Sequence, residues 1–446
     1  MVATVHSDAI VYKGSNFFRQ RLLLATLSGR TIKIEEIRST HDDPGLREYE
    51  VSLIRLLDKV TNGTRVELSQ TGTSVYYQPG ILVGGQVTHS CSTQRGIGYF
   101  LEILLALGPF CKEPLNAVLQ GVTHSDLDVS VDKIKTSALP MLLKFILVDD
   151  GLELKVVRRG APPLGGGEVV FKCPVRRSLR PLQWTQWGLV KRIRGIVYAL
   201  RVSPTMANRV VDAAKGVSYL CGYWLSDFRA NWCYCYILLK GSVMLNFIPD
   251  VYINTDQCRG SNAGKSPGFG ISLVAETNEK TFYCAEAKST DVGSGDITLP
   301  EDLGRECAQR LLDEIHRGGA VDSSFQWLCA LWMALGQKDV SECIVSRILL
   351  YKWNFSMPPG EKRNCGYKLV GHKINQILIF QIGPLSDYTI TFLQHLKEFF
   401  GVMFKLEVQR SGSGDEESDD EEVTPASKIK MTCVGIGYVN ISKRTL

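Results

Sequence analysis

Residues 9–78 and 86–173 run through the same order of elements, and that repetition constrains the fold more than any other feature of the sequence. The first passage reads as a strand near 9–12, a helix over 16–28 capped by Asn16 and ended by Gly29, and a period-two strand over 31–37. Pro44 and Gly45 lead into a helix over 46–60. Its apolar residues Leu46, Tyr49, Leu53, Leu56, Leu57 and Val60 share one face, and Asn62-Gly63 stops it. Strands over 64–69 and 74–78 close the unit. The second passage repeats this as strand 86–90, helix 96–107, strand 115–122, helix 129–145 and strands 152–158 and 168–173. Both read β-α-β-α-β-β. A partial third copy has helices over 325–335 and 388–400 and strands over 402–409 and 428–438. A period of about 80 to 90 residues is too long for an open solenoid, so three packed α/β units are expected to form one large domain.

Between the second and third copies, 202–318 departs from the pattern and reads as a small inserted α/β domain. Its elements are a helix over 204–215, strands over 250–255, 269–276 and 281–287, and a helix over 300–317. Pro300, Glu301 and Asp302 mark the start of that last helix, and Gly318-Gly319 its end. The large domain is then 1–201 and 319–446. Two stretches, 217–243 and 342–381, follow no element pattern and read as atypical insertions.

With 44% apolar and 22% charged residues, the chain has the composition of a soluble globular protein. The most apolar stretch, 219–239, is broken by Asp227, Arg229 and Asn231, so no membrane span is expected. The N-terminus lacks a secretory pattern, and thirteen cysteines without a CxxC pair fit free thiols in a reducing, intracellular setting. Seven of the eight residues in 415–422 are acidic, so the net charge of +5 conceals a more basic body. Such a body suits an anionic partner, nucleic acid first, although a scattered solvated excess of Lys and Arg would look the same.

The strongest local signal is 158–169. Gly165, Gly166 and Gly167 can expose backbone amides to an anion, and Arg158 and Arg159 would add charge. The alternative is a glycine-rich hairpin that binds nothing. Lys172, Arg176, Arg177, Arg180, Lys191, Arg192 and Arg194 interleave with Trp184 and Trp187, a pattern suited to phosphates and stacked bases, or to the solvated face of a strand. The segment 260–270, with Asn262 and Lys265, is a second possible phosphate loop or an ordinary turn. The seven histidines show no zinc spacing, so no metal is expected, and Cys233-x-Cys235 reads as apolar filler. Ser418, followed by four acidic residues, is a candidate phosphorylation site within an acidic loop, 411–426, whose alternative role is solubility.

Several motifs together carry a family resemblance: Arg159-Gly-x-x-Pro163-x-Gly165-Gly-Gly-x-Val169, Gly14-Ser-Asn-Phe-Phe-Arg-Gln-Arg21, Asp43-Pro-Gly-Leu-Arg47, Tyr77-Gln-Pro-Gly80, Lys191-Arg-Ile-Arg-Gly195, Gly264-Lys-Ser-Pro-Gly-Phe-Gly270 and Gly383-Pro-Leu-Ser386. They resemble the RNA 3′-terminal phosphate cyclases, and most of all the eukaryotic branch of that family. The resemblance implies three α/β units with an inserted small domain. Active cyclases adenylate a histidine from ATP and close a terminal phosphate onto the 2′-hydroxyl. Here Tyr388 stands at the expected histidine, Gly14-Ser15-Asn16 shortens an expected glycine-rich run, and His41 and Asp43 replace an arginine and a lysine. Arg19 is kept, and with Arg21 it is a candidate anion ligand.

The resemblance thus implies an inactive cyclase scaffold without a cofactor: a nucleolar factor of the small-subunit processome, required for early cleavages toward 18S rRNA. Its implied partners are a processome GTPase, small nucleolar ribonucleoprotein and pre-rRNA, with no membrane and a monomeric state outside the complex. An RNA-processing enzyme, either an endoribonuclease or a residual cyclase, is the alternative. Relative to the family, 217–243 and 342–381 look like additions, as retained intron sequence or a gene-model error would produce.

Overall fold

The computed structural model describes residues 9–147, 150–223, 250–291, 293, 297–345, 385–409 and 428–440. The first unit runs β1 Ile10–Lys13, α1 Phe18–Ser28, β2 Ile32–Glu35, α2 Glu48–Val60, β3 Arg65–Leu68 and β4 Val75–Gln78. The second runs β5 Gly84–Ser90, α3 Ile97–Leu107, β6 Glu113–Gly121, a broken helix α4, β7 Glu153–Arg158 and β8 Gly167–Cys173. In each sheet the first two strands are parallel and the last two antiparallel, in the order β1-β2-β4-β3 and β5-β6-β8-β7.

The third unit is complete, not partial. Its first strand, β9 Gln183–Trp184, lies before the inserted domain and pairs in parallel with β14 Val340–Val345, which lies after it. With α7 Gln326–Leu335, α8 Asp387–Phe400, β15 Lys405–Gln409 and β16 Lys428–Val434 it forms the sheet β9-β14-β16-β15, the order of the other two. Residues 342–345, assigned from sequence to an insertion, are therefore part of a central strand. The remainder of 342–381, the loop 411–426 and Ser418 lie outside the described residues.

The strand over 190–200 also changes place. Sequence put it in the large domain, which was to end at 201, yet β10 Val190–Leu200 is the long central strand of the inserted sheet. That sheet is β11-β10-β12-β13, with β11 Val251–Cys258, β12 Gly268–Thr277 and β13 Phe282–Lys288. Helices α5 Pro204–Tyr223 and α6 Pro300–Arg317 pack on it. They cross closely because position 304 is glycine: a Cβ there would stand 2.4 Å from the Val210 carbonyl oxygen. Of the stretch 217–243, residues 217–223 continue α5 and 224–243 lie outside the described residues.

Helix α1 starts at Phe18 behind Phe17, which has φ 57° and gives no side-chain cap, so Asn16 does not cap it. Gly29, at φ 70°, does end it, its N–H reaching the Ala25 carbonyl. The helix read as continuous over 129–145 is α4: Val131–Lys133, a π turn Ile134–Ala138, then Leu139–Ile146. Helices α3 and α7, apolar on nearly every face, are buried nearly all round, and α1 is buried too although it carries Arg19, Gln20 and Arg21. They meet at the centre of the large domain, and Leu22, Leu23, Phe100, Leu104 and Trp332 contribute to its main core. Helix α2 lies further out and buries only one face, with Leu53, Leu56, Leu57 and Val60 inward and Arg55, Asp58 and Lys59 in solvent. The inserted domain has its own core, including Val197, Val210, Ile271, Leu273 and Leu303. The nine cysteines whose side chains are described are buried free thiols.

Candidate functional site

Ser386 caps α8 by accepting the Thr389 N–H at 3.1 Å, which sets Tyr388 in the first turn against α1 and α7. An Arg19 Nη donates to the Tyr388 hydroxyl at 3.0 Å, and Gln20 Nε2 donates to its backbone carbonyl at 3.1 Å. Arg19 also donates to the Tyr99 carbonyl and pairs with Glu102 of α3. Burial alone would lower the guanidinium, but Glu102 and Tyr388 outweigh it and hold Arg19 protonated. Burial pushes the Tyr388 phenol up. Rings of Phe17 and Trp327 pack on Tyr388 from two sides.

The other cations around this point are engaged internally as well. Arg95 binds Asp128 at 2.5–3.1 Å and Arg38 binds Glu50 at 2.8 Å through two nitrogens. Arg21 is buried, donates to the Gly14 carbonyl at 2.9 Å and lies 4.4 Å above the Tyr12 ring. Arg19 and Arg21, expected as anion ligands, are thus taken up inside the fold. His395, further along α8, is buried against Gln20, 3.1 Å from its amide oxygen, and burial lowers it to about 4.

The glycine-rich loop 158–167 meets loop 259–266 of the inserted domain. Gly165 carbonyl accepts the Lys265 N–H at 2.9 Å, Ser266 Oγ accepts the Leu164 N–H at 3.1 Å, and Arg201 Nε donates to the Gly264 carbonyl at 2.7 Å. A Cβ on Gly264 would fall 2.4 Å from the Gly165 oxygen, and one on Gly160 2.3 Å from the Gly167 nitrogen. Gly264 therefore lets the two domains dock backbone to backbone, Gly160 lets the loop close on itself, and the Gly165 carbonyl faces a main-chain N–H of the inserted domain. Gly264→Ala is expected to cost about 1–3 kcal/mol in urea unfolding, since the clashing atoms are main-chain and cannot swing away. Arg159 has the same role. Buried at 4% exposure, it spans Asp132 of α4 at 2.5 and 3.0 Å and Asp256 of β11 at 2.6 Å.

Beside this junction a cleft of about 440 Å³ opens at the carboxyl ends of β5 and β6, where open α/β sheets hold ligands. Ser90, Thr93, Gln120, Arg158, Arg201 and Lys265 line it, together with Gly166 and Gly167. Arg158 pairs with Glu168 at 2.7 Å, whereas Lys265 is exposed. Arg201, at φ 53° just past β10, has no counterpart in the sequence reading.

The cations of 172–194 do not form one surface. Lys172 pairs with Glu153 across β8 and β7, while Arg192 pairs with Glu276 and Arg194 with Asp250 in the inserted domain, where Lys191 is exposed. Trp184 is buried beneath Lys144, whose Nζ is 3.8 Å from the ring centre, and Lys428 Nζ sits 3.1 Å above Trp187. Trp184 is closed off by burial, and Trp187 is half-buried with Lys428 over its ring. Among the described residues, no three His, Cys, Asp or Glu side chains are grouped to hold a metal ion, and no helix is long and apolar enough to cross a membrane.

Three β-α-β-α-β-β units around a helical centre, an α/β domain inserted in the third, and a glycine-rich interdomain loop define a cyclase-type scaffold. The chain belongs to the RNA 3′-terminal phosphate cyclase family, whose profile matches residues 10–406. It is 50% identical over 442 residues to a Drosophila melanogaster protein named probable RNA 3′-terminal phosphate cyclase-like protein, covering 98% of each chain. It is 49% identical over 443 residues to the human RNA 3′-terminal phosphate cyclase-like protein, covering 99% of each. A Schizosaccharomyces pombe relative, 39% identical over 435 residues and covered to 97%, is named rRNA processing protein rcl1.

Proposed function

We propose that this chain is a non-catalytic factor of ribosomal RNA processing that uses the cyclase fold as an RNA- and protein-binding scaffold. The observation that carries the reading is the locked Tyr388. A covalent adenylate needs an unprotonated nucleophile free to reach the α-phosphate. Here the residue is a phenol pushed up by burial, hydrogen-bonded to Arg19 and enclosed by Phe17 and Trp327. The name of the fission-yeast relative supports the process. At finer grain, the proposed place of action is the nucleolar small-subunit processome, in the early pre-rRNA cleavages that release 18S rRNA for the 40S subunit. The partners would be a processome GTPase, small nucleolar ribonucleoprotein and pre-rRNA.

An endoribonuclease in the cleft would need a base for the attacking 2′-hydroxyl. The lining offers cations, hydroxyls, amides and the Cys91 thiol, which burial raises far above its usual value. The scaffold reading is tested by incubating the purified chain with α-labelled ATP and magnesium beside an active cyclase, followed by denaturing electrophoresis. Label on the control alone is expected. A labelled band for this chain would overturn the reading.

A further inference from the structure

Single-stranded RNA is bound by a cationic groove that follows the backbone together with aromatic faces on which bases stack. The cleft supplies the first part, through Lys265 and Arg201. For the second, both tryptophans read from sequence as stacking candidates are already covered by lysines. Among the phenylalanine, tyrosine and tryptophan residues whose side chains are described, one is exposed: Tyr252, at 57%. It packs against no other described ring.

Tyr252 is the second residue of β11, an edge strand of the inserted sheet, and its register partner on β10 is Arg194. Successive side chains alternate across a sheet, so Tyr252, Asn254 and Asp256 share a face with Arg192 and Arg194. Asn254 is exposed, and Asp256 is the residue that Arg159 grips at the domain junction. Beyond Cys258 the chain enters the loop containing Gly260, Ala263, Gly264 and Lys265, which forms one wall of the cleft. The strand therefore leads from an exposed ring to a cationic cleft. Six residue steps at about 3.3 Å place the two ends roughly 20 Å apart, a distance spanned by several nucleotides and not by one.

Resting on the RNA-binding reading above, we propose that single-stranded RNA runs along β11, stacking a base on Tyr252 and placing a backbone phosphate in the cleft between Lys265 and Arg201. Duplex RNA has no base face to offer the ring, so the track selects single strands.

The test is fluorescence anisotropy of the full chain with a labelled single-stranded oligouridylate 12-mer, over a series of salt concentrations, with an RNA duplex as comparison. Tyr252→Ala is expected to weaken single-strand binding about 5- to 100-fold and leave the salt slope unchanged, while Tyr252→Trp retains affinity. Arg201→Gln combined with Lys265→Gln should weaken binding and also reduce the salt slope by about 0.7 for each phosphate that is no longer neutralised. Exposure of Tyr252 predicts an unchanged melting temperature for its variants, which separates lost stacking from misfolding. Wild-type affinity in Tyr252→Ala, or equal preference for the duplex, would overturn the track while leaving RNA binding in place. If the wild-type chain fails to bind the oligonucleotide, the track and the RNA-binding reading fall together.

Discussion

Arg159→Ala is expected to destabilise the protein by about 3–5 kcal/mol at neutral pH, the usual cost of stranding a buried charge. Asp132 is buried on α4 and held through both carboxylate oxygens by Arg159, which reaches Asp256 of the inserted domain with its third nitrogen. Without the guanidinium, Asp132 loses its paired cation and the two domains lose one of the ion pairs between them. Burial alone would push the Asp132 carboxyl up, but Arg159 outweighs burial and keeps it below its ordinary value. A depressed carboxyl adds stability above its unfolded pKa of about 4, and that stability is lost as pH falls through the folded pKa. The gap between wild type and Arg159→Ala should therefore be widest near pH 7 and narrow below about pH 4, as protonation relieves the stranded carboxylate. Urea unfolding at both pH values checks this. Combining Arg159→Met with Asp132→Leu should recover much of the loss, because an apolar pair of similar size has no charge to desolvate. A single variant as stable as wild type at pH 7 would mean that the glycine loop docks without its arginine.

This arginine also marks how far the sequence could be read. The first two units were legible because their elements carry local signals, such as the one-sided apolar face of α2 and Gly29 at the end of α1. The third unit was read as partial because β9 has two residues and its parallel partner lies beyond the whole inserted domain. That partner, β14, is broken as an apolar pattern by Ser341, which is fully buried and accepts the Leu182 N–H at 3.1 Å. A polar residue that completes a strand from inside cannot be told from a surface residue by periodicity alone.

The site was legible by residue type and not by pairing. Arginines were nominated because cations bind phosphates, but a guanidinium's availability depends on what faces it in three dimensions. The carboxylate facing Arg19 is 83 positions away, on another unit's helix, and those facing Arg159 are 27 and 97 away. Lys265, by contrast, stays exposed at a cleft, and Arg201 joined it only through the fold. The family resemblance pointed to Tyr388; the structure adds that its hydroxyl accepts from Arg19 and that the rings of Phe17 and Trp327 pack on it.

Glu102→Ala follows from that pairing and is expected to cost a further large amount, about 3–5 kcal/mol in urea unfolding, by leaving the largely enclosed Arg19 without its carboxylate among Tyr99, Trp327 and Tyr388. The magnitude matters less than what rescues it. If Arg19 were a phosphate ligand in an open cradle, removing its internal carboxylate would create a site for an external anion, and millimolar ATP or triphosphate would raise the melting temperature of the variant. The aromatic rings around Arg19 leave it 13% exposed, so no rise is expected. Replacing both partners, Glu102→Leu with Arg19→Met, should instead restore most of the stability without any ligand, because the interior then holds no charge. Rescue by the apolar pair and not by ATP would show that an arginine kept from a catalytic family now serves packing alone. Rescue by ATP would return the position to nucleotide binding and take with it the argument that Tyr388 stands in a closed site.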